Sequence, residues 1–367
     1  MPVPEDVTDG GSAQLAQLQE ALLRWYAACR RDLPWRNTRD AYAIWVSEVM
    51  LQQTRVDTVL RYYDRFLQRF PTPVALAEAP SDDVLAMWSG LGYYRRARLL
   101  HRGAQAVAEQ GGALPSNRTG LLDVPGIGRY TSGAIASIAF GEAVGLVDGN
   151  VARVLARLFA IDEDMRKAGM RTAEKLADKI VAKQDPGAWN QALMELGATV
   201  CSPVKPACHK CPVSTMCRAR AEQRTSELPV LSPKAKPLAR KVQSLVVTRA
   251  SDGAVLLARR TPDRLFGGLW EPPSIEGSAR SRGALTSAFG VEDAKRVGSV
   301  EHVLSHRKLT VDVLNASVRS LPRVAPPEGY DDVRFVAVGE IERGSEKLGI
   351  ATLARKILTC AGVLEDA

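Results

Sequence analysis

Two carboxylates and four thiols are the residues of this chain whose surroundings point to chemistry. Glu48 lies in Tyr42-Ala-Ile44-Trp45-Val46-Ser-Glu48-Val49-Met50-Leu51, with Ile44 four positions before it and Leu51 three after. A carboxyl flanked by apolar side chains at helical spacing loses hydration, and its pKa rises toward the range of a general acid. The same residue also reads as a surface glutamate on a helix that is apolar nearly all round. Asp148 lies in Leu146-Val147-Asp148-Gly149-Asn150, ahead of Val151, Val154, Leu155, Leu158 and Phe159 at helical spacing. That places Asp148 at a helix N-terminus, where caps are common and where the dipole lowers the pKa of an acid. The two acids are thus expected to have pKa values displaced in opposite directions.

Of six cysteines, Cys201, Cys208, Cys211 and Cys217 fall within seventeen residues, spaced C-x6-C-x2-C-x5-C. Such clustering favours a metal centre over disulfides in a cytosolic chain. Zinc usually takes paired knuckles, and only Cys208 and Cys211 make one. Iron–sulfur sites tolerate uneven spacing, although spacing alone leaves zinc open. Cys29 and Cys360 read as ordinary thiols.

The elements that must position these groups are short helices. Helices are expected over Gln14–Cys29, from Ala41 to about Leu51, over Tyr130–Phe140, after Asp148, and over Thr172–Ala182 and Trp189–Val200. Residues 1–14 read as disordered. Before Tyr130 stands Pro125-Gly126-Ile127-Gly128, where proline fixes φ and the glycines permit positive φ, so that two helices meet in a sharp turn. A glycine turn feeding a helix leaves backbone N–H groups free, a ready site for one phosphate at Gly126 and Gly128. Trp88-Ser-Gly-Leu-Gly-Tyr93-Tyr94-Arg95-Arg96 sets two aromatics beside a basic pair, the composition of a base-stacking surface and equally of a packed helix boundary. Residues 223–240, with three prolines and no periodicity, read as a linker. Beyond it the period shifts to two: strands are expected over Val242–Ala250, Ala254–Arg259, Leu309–Val318 and Val333–Val338, with helices over Gly283–Phe289 and Gly349–Leu358. Residues 1–222 are therefore expected to form a helical domain and 241–367 a separate α+β domain.

A chain of 367 residues, 46% hydrophobic and 25% charged, has the make-up of a globular protein of about two domains. No apolar run approaches the ~18 residues that span a bilayer. The acidic start Met1-Pro-Val-Pro-Glu-Asp lacks a signal-peptide pattern, so a cytoplasmic protein with no membrane partner is expected. A net charge of +8 suits a polyanion without selecting one.

Helical hairpin, Val-Asp-Gly-Asn and cysteine loop, in that order, resemble the endonuclease III superfamily of helix-hairpin-helix base-excision glycosylases. Trp45-Val-Ser-Glu48-Val-Met-Leu-Gln52-Gln53-Thr54 and Leu91-Gly-Tyr93-Tyr94 look like its MutY branch, the adenine DNA glycosylases, and the likeness runs over about residues 15–360. The resemblance implies a two-lobed helical domain whose cysteine loop, 201–217, holds a [4Fe–4S] cluster, followed by a Nudix-like α/β/α domain. It implies that Glu48 protonates adenine as the glycosidic bond breaks, while Asp148, supported by Asn150, stabilises the sugar cation and helps deliver water. One neutral and one ionised carboxyl fit glycoside cleavage. Trp35 and Arg36 would hold the extruded base, and Gln53, Thr54 and Tyr93 would wedge the duplex around an opposite 8-oxoguanine. Tyr130 occupies the position where bifunctional relatives carry a lysine; a phenol forms no Schiff base, so the strand is expected to stay uncut. The expected partner is double-stranded DNA with adenine opposite 8-oxoguanine or guanine, met by a monomer at the nucleoid.

In the second domain Gly267-Gly268-Leu-Trp270-Glu271-Pro-Pro resembles the start of a Nudix signature, but the stretch Leu285-Thr-Ser-Ala-Phe-Gly290 offers no carboxylate for magnesium. A recognition module is expected there, using Leu304-Ser305-His306 where the family has Phe-Ser-His; Ser305 and His306 keep the hydrogen-bonding groups. Three rival readings stand. A bifunctional pyrimidine-lesion glycosylase and lyase is opposed by Tyr130. A non-catalytic DNA-binding protein is opposed by two acids that would repel a DNA backbone. A Nudix hydrolase is opposed by the missing carboxylates.

Overall fold

A computed structural model describes residues 11–234, 236–277, 281–291, 293–320, 326–342 and 348–365. The chain is helical as far as residue 221: α1 (Gly11–Cys29), α2 (Ala41–Leu51), α3 (Val56–Arg69), α4 (Pro73–Glu78), α5 (Ser81–Met87), α6 (Arg95–Glu109), α7 (Arg118–Leu122), α8 (Arg129–Phe140), α9 (Gly149–Phe159), α10 (Ala168–Ile180), α11 (Pro186–Thr199) and α12 (Arg218–Ala221). Strands follow: β1 (Leu238–Arg249), β2 (Val255–Arg260), β3 (Trp270–Glu271), β4 (Ser274–Glu276), then α13 (Ser281–Ala288), β5 (Lys295–Val303), β6 (Arg307–Val318), β7 (Tyr330–Val336), α14 (Val338–Glu342) and α15 (Thr352–Cys360). No helix among the described residues is long and apolar enough to cross a membrane. The helices divide into two compact units, one running to Tyr63 and adding Thr72–Val74 and Arg102–Pro233, the other comprising Asp64–Pro71, Ala75–His101 and the residues from Lys234 on.

In the first unit the core is built on α9. Its Val151, Val154, Leu155 and Leu158 are buried with Leu18 and Leu22 of α1, Leu176 and Ile180 of α10, and Trp189, Leu193 and Leu196 of α11. Burying each such aliphatic side chain contributes ~1.5–3 kcal/mol. Helix α2 is buried along Tyr42–Met50, the acid Glu48 included, and packs on α8. That packing needs small residues: α8 buries Thr131, Ser132, Gly133, Ala134, Ala136 and Ser137 together with Ile135. Between α7 and α8 the turn uses positive φ at Gly126 (+86°) alone. Gly128 is extended (φ −97°, ψ −179°) and caps α8, so the expectation of a left-handed glycine holds for one of the two.

The second unit carries a mixed sheet of order β3-β2-β1-β6-β5, with β4 against β1 and β7 against β2. Strands β1 and β6 run parallel from Leu238↔Arg307 to Arg249↔Val318. Successive residues of β1 enter different cores: Val246 joins Val311, Val313, Leu353 and Ile357, while Leu245 and Val247 join Leu285, Phe289 and Leu314. The period of two is thus explained by α15 on one face and α13 on the other, the expected α/β/α arrangement. Helical residues 75–101 are bound to this sheet region. Tyr94 donates its hydroxyl to the Ile350 carbonyl (3.2 Å), Arg98 donates to the Gly267 carbonyl (2.6 Å), and Arg259 pairs with Asp82 (3.0 Å).

Several boundaries differ from the sequence reading. Residues 11–13, expected in a disordered tail, already belong to α1, and residues 1–10 lie outside the described residues. Helix α10 starts four residues before Thr172, and α11 starts at Pro186 instead of Trp189, because Asp185 caps the Ala188 N–H and proline takes the first turn. Strand β1 starts inside the expected linker because its pairing with β6 extends to Leu238. Strands β3, β4 and β5 and helix α14 were not foreseen; β3 and β4 are two and three residues long, and β5 is a largely exposed edge strand without apolar alternation.

Helices α11 and α9 touch at Gly197, where an added Cβ would lie 2.7 Å from Cβ of Asn150 and 3.0 Å from its carbonyl oxygen. Gly197→Ala is therefore expected to destabilise the fold by about 1–3 kcal/mol, read from urea unfolding; an unchanged midpoint would show that the two helices separate without cost.

Candidate active site

Glu48 faces a cavity of about 730 Å³ in the first unit, lined also by Trp35, Arg36, Gln53, Thr54, Gly126, Gly128, Tyr130, Asp148, Asn150 and Met194. Helix α2 delivers the carboxyl and α8 delivers its partner: the Tyr130 hydroxyl donates to Glu48 Oε2 at 2.5 Å and stands 3.2 Å from Met194 Sδ. Burial raises the pKa of Glu48 to about 7; the Tyr130 hydrogen bond and Arg36 oppose the rise, and Asp148 adds to it. Burial, with Glu48 and Asp148 adding, also raises the Tyr130 phenol well above its ordinary value, so it stays a donor.

Asp148 caps α9, its Oδ1 accepting the Val151 N–H (2.7 Å) and its Oδ2 the Asn150 amide (3.1 Å). Its pKa is nonetheless raised. Burial outweighs the hydrogen bonds from Val151 and Asn150 and the charge of Arg153 that act to lower it. The expected lowering at a helix N-terminus is corrected here: desolvation exceeds the cap and dipole effects when the carboxylate lies inside a cavity. Both acids are displaced upward from their ordinary values. Asn150 is itself held by Arg153 (2.9 Å to Oδ1), whose guanidinium also donates to the carbonyls of Gly197 and Cys201, both at 2.7 Å.

Trp35 lines the cavity but is buried, its ring edge-on to Tyr63 with centroids 5.3 Å apart. Arg36 is committed to an acid that the sequence reading missed. Glu195, on α11, accepts from Arg36 Nη2 (2.7 Å) and from Arg31 Nη2 (2.7 Å) and Nε (2.8 Å). Burial raises the Glu195 pKa, but the two arginines outweigh it and leave the carboxyl at about 2. Two arginines in one Pro-broken loop signal the need for a buried counter-charge, yet nothing local says which acid supplies it. Gln53, in a left-handed turn (φ +58°), and Thr54 line the same cavity. Gly128 lacks a capping side chain, so the first N–H groups of α8 remain available to a phosphate.

Residues 46–180 match the HhH-GPD superfamily of base excision DNA repair proteins, and residues 244–360 match the NUDIX domain. The solved structure of a thermostable thymine-DNA glycosylase is similar over 58% of this chain and the whole of that one, at TM-score 0.52 and 29% identity. The adenine DNA glycosylase of Arabidopsis thaliana is 40% identical over 359 residues, which are 81% of this chain and 57% of that protein. That of Homo sapiens is 38% identical over 382 residues, 86% of this chain and 70% of that protein. The chain belongs to the adenine DNA glycosylases.

The adenine DNA glycosylase family implies an iron–sulfur cluster, and a set of four thiols fits one. Cys201, Cys208, Cys211 and Cys217, all free and half-buried, line one small space of about 30 Å³. Among the described residues no three donors converge closely enough to hold a single metal ion. Burial, with the neighbouring cysteines adding, pushes the Cys211 thiol up to about 11, so that thiol becomes a thiolate only beside a cationic group. Buried Arg157 closes the loop, donating to Cys201 Sγ (3.3 Å) and to the carbonyls of Ser202 (2.7 Å), Pro203 (3.0 Å) and Leu228 (2.8 Å).

Tyr93, Ser305 and His306, singled out in the sequence, lie in the second unit. Tyr93 is exposed at the end of a glycine turn. Ser305 and His306 are exposed at the β5–β6 hairpin, Ser305 Oγ 3.4 Å from His306 Nδ1, whereas Leu304 packs against the core. Helix α13 carries no Asp or Glu.

Because Glu48 binds its proton more tightly folded than unfolded, its stabilising contribution is complete below its ordinary pKa of 4.5 and is lost as pH rises through about 7. Glu48→Gln should therefore gain stability relative to the wild type between about pH 5 and about pH 8 in urea unfolding. A pH-independent difference would place the Glu48 pKa at its ordinary value.

Proposed function

We propose that this chain hydrolyses the N-glycosidic bond of adenine mispaired with 8-oxoguanine or guanine in duplex DNA and leaves the strand uncut. The observation that carries the reading is the Tyr130–Glu48 hydrogen bond in a cavity that Asp148 shares and that, among the described residues, no lysine lines. With Oε2 accepting from Tyr130, the proton of Glu48 is directed to Oε1, from which it passes to the adenine ring as the bond to C1′ breaks. Asp148, fixed by Val151 and Asn150, faces the sugar cation as a carboxylate, guides the water that adds to C1′ and takes the proton that the water gives up. The base reaches the cavity by leaving the stack. A volume of about 730 Å³ is within the ~300–1,000 Å³ of small-molecule sites and accommodates a purine.

Other groups act on the duplex. The free N–H groups at the start of α8 bind a phosphate next to the flipped nucleotide, with Gln53, Thr54 and Tyr93 filling and wedging the stack. Arg36 supports the cavity wall through Glu195, and Trp35 packs beside it. Ser305 and His306 hydrogen-bond the 8-oxoguanine. The four cysteines hold a [4Fe–4S] cluster, which when bound supplies the iron–thiolate bonds that fix residues 201–217 as one loop. The chain acts as a monomer in the cytoplasm, at the nucleoid, and its charge of +8 favours that polyanionic partner.

A single-turnover assay on a duplex with adenine opposite 8-oxoguanine should give strand breaks only after alkali treatment. Breaks without alkali, together with a borohydride-trapped adduct, would make the protein a lyase. Asp148→Asn should lower the cleavage rate by at least about a hundredfold while DNA affinity persists; loss of affinity would make Asp148 structural. The wild-type rate should fall as pH rises above about 7, where Glu48 loses its proton, and a flat profile between about pH 6 and about pH 9 would remove Glu48 as the acid.

A further inference from the structure

Two tyrosines and two arginines stand side by side in Tyr93-Tyr94-Arg95-Arg96, and the fold sends alternate members outward. Tyr93 is 48% exposed and Arg95 is exposed, whereas Tyr94 and Arg96 are 7% and 8% exposed. Arg95 is therefore the arginine available to a phosphate, and Arg96 needs another explanation. Its guanidinium carbon lies 5.5 Å from the centroid of buried Trp88 and 5.4 Å from that of Tyr93, within reach of both ring faces. The same group donates through Nη2 to the carbonyls of Leu91 (3.3 Å) and Gly92 (3.2 Å), and Trp88 Nε1 also donates to Gly92 (3.1 Å). These bonds clamp a turn in which Gly90 (φ +99°), Gly92 (+70°) and Tyr93 (+49°) are all left-handed. A tyrosine has no intrinsic preference for that region, so the conformation persists only where the surroundings impose it. Burial lowers the pKa of Arg96 to about 10, with Tyr93 opposing, and the group is still a cation at neutral pH.

We propose that Arg96 is a positioning residue: it holds Tyr93 outward as a preformed wedge, its guanidinium set between the rings of Trp88 and Tyr93. A wedge that is already ordered loses less conformational freedom when it enters the duplex, so the stack acts on lesion recognition and not on general DNA affinity. The proposal rests on reading Tyr93 as the wedge.

The test uses the full chain with Arg96→Gln, Arg96→Lys, Tyr93→Ala and the double variant Arg96→Gln/Tyr93→Ala. Affinity is measured by fluorescence anisotropy for a duplex carrying a non-cleavable adenine analogue opposite 8-oxoguanine, and for the same duplex undamaged. Arg96→Gln should weaken the lesion duplex about tenfold and leave the undamaged duplex unchanged. Arg96→Lys, which retains a cation over the rings, should recover most of that loss. In the Tyr93→Ala background Arg96→Gln should add nothing, because its partner is already gone. If Arg96→Gln does not fold, Arg96→Met, which keeps the apolar stem, should show the same lesion-specific loss. Additive losses in the double variant, or equal weakening on both duplexes, would reduce Arg96 to general support of the fold. Tyr93→Ala without effect would overturn the reading of Tyr93 itself, whereas an effect of Tyr93→Ala with none from Arg96→Gln would overturn only the role of Arg96.

Discussion

A carboxyl keeps its proton near neutrality when it is taken out of water without being left unpartnered, and the first unit holds Glu48 in that way. Burial alone would make Glu48 a neutral acid with no fixed direction. The Tyr130 hydroxyl at 2.5 Å supplies the direction, at the cost of part of the pKa rise. The pair exists because α2 and α8 approach closely, and they do so because α8 carries glycine, alanine, serine and threonine on its buried side. A large side chain there would separate acid from phenol before it touched either.

The second carboxylate is held by a different device. Asp148 is the cap of α9, and capping fixes its position relative to the helix that forms the core of the unit. Asn150 continues the contact to Arg153, and Arg153 and Arg157 tie α9 to the cysteine loop through the carbonyls of Cys201, Ser202 and Pro203. Buried arginines serve here because one guanidinium offers several donors in a fixed plane and can satisfy carbonyls that no helix supplies. Glu195 between Arg31 and Arg36 follows the same logic with the charges reversed, an ion triad whose acid stays ionised because two cations share it.

In the second unit a Nudix-like sheet has kept its two-faced core and its hairpin while its helix α13 carries no acid. The helical segment 75–101 is joined to that sheet by backbone carbonyls, with Ile350 accepting from Tyr94 and Gly267 from Arg98. Such contacts depend on backbone position more than on side-chain identity, which is why no motif announces them.

Much of this protein is legible in residue order, because the signals involved are local. The hairpin turn at Pro125–Gly128, the cap at Asp148, the apolar surroundings of Glu48 and the period-two strands each follow from side chains within one or two turns. The cysteine spacing likewise marks a metal centre in place, though not which metal. What tertiary structure alone decided involves partners far apart in the chain: Tyr130 on Glu48, Glu195 between two arginines, Arg153 bridging Asn150 to the cysteine loop, and β1 extended by β6 into the expected linker. The direction of the Asp148 pKa shows the reason most plainly. The helix N-terminus beside it is a local feature that lowers the pKa, but the desolvation that raises it is a property of a cavity assembled from residues as distant as Trp35 and Met194, and desolvation is the larger effect.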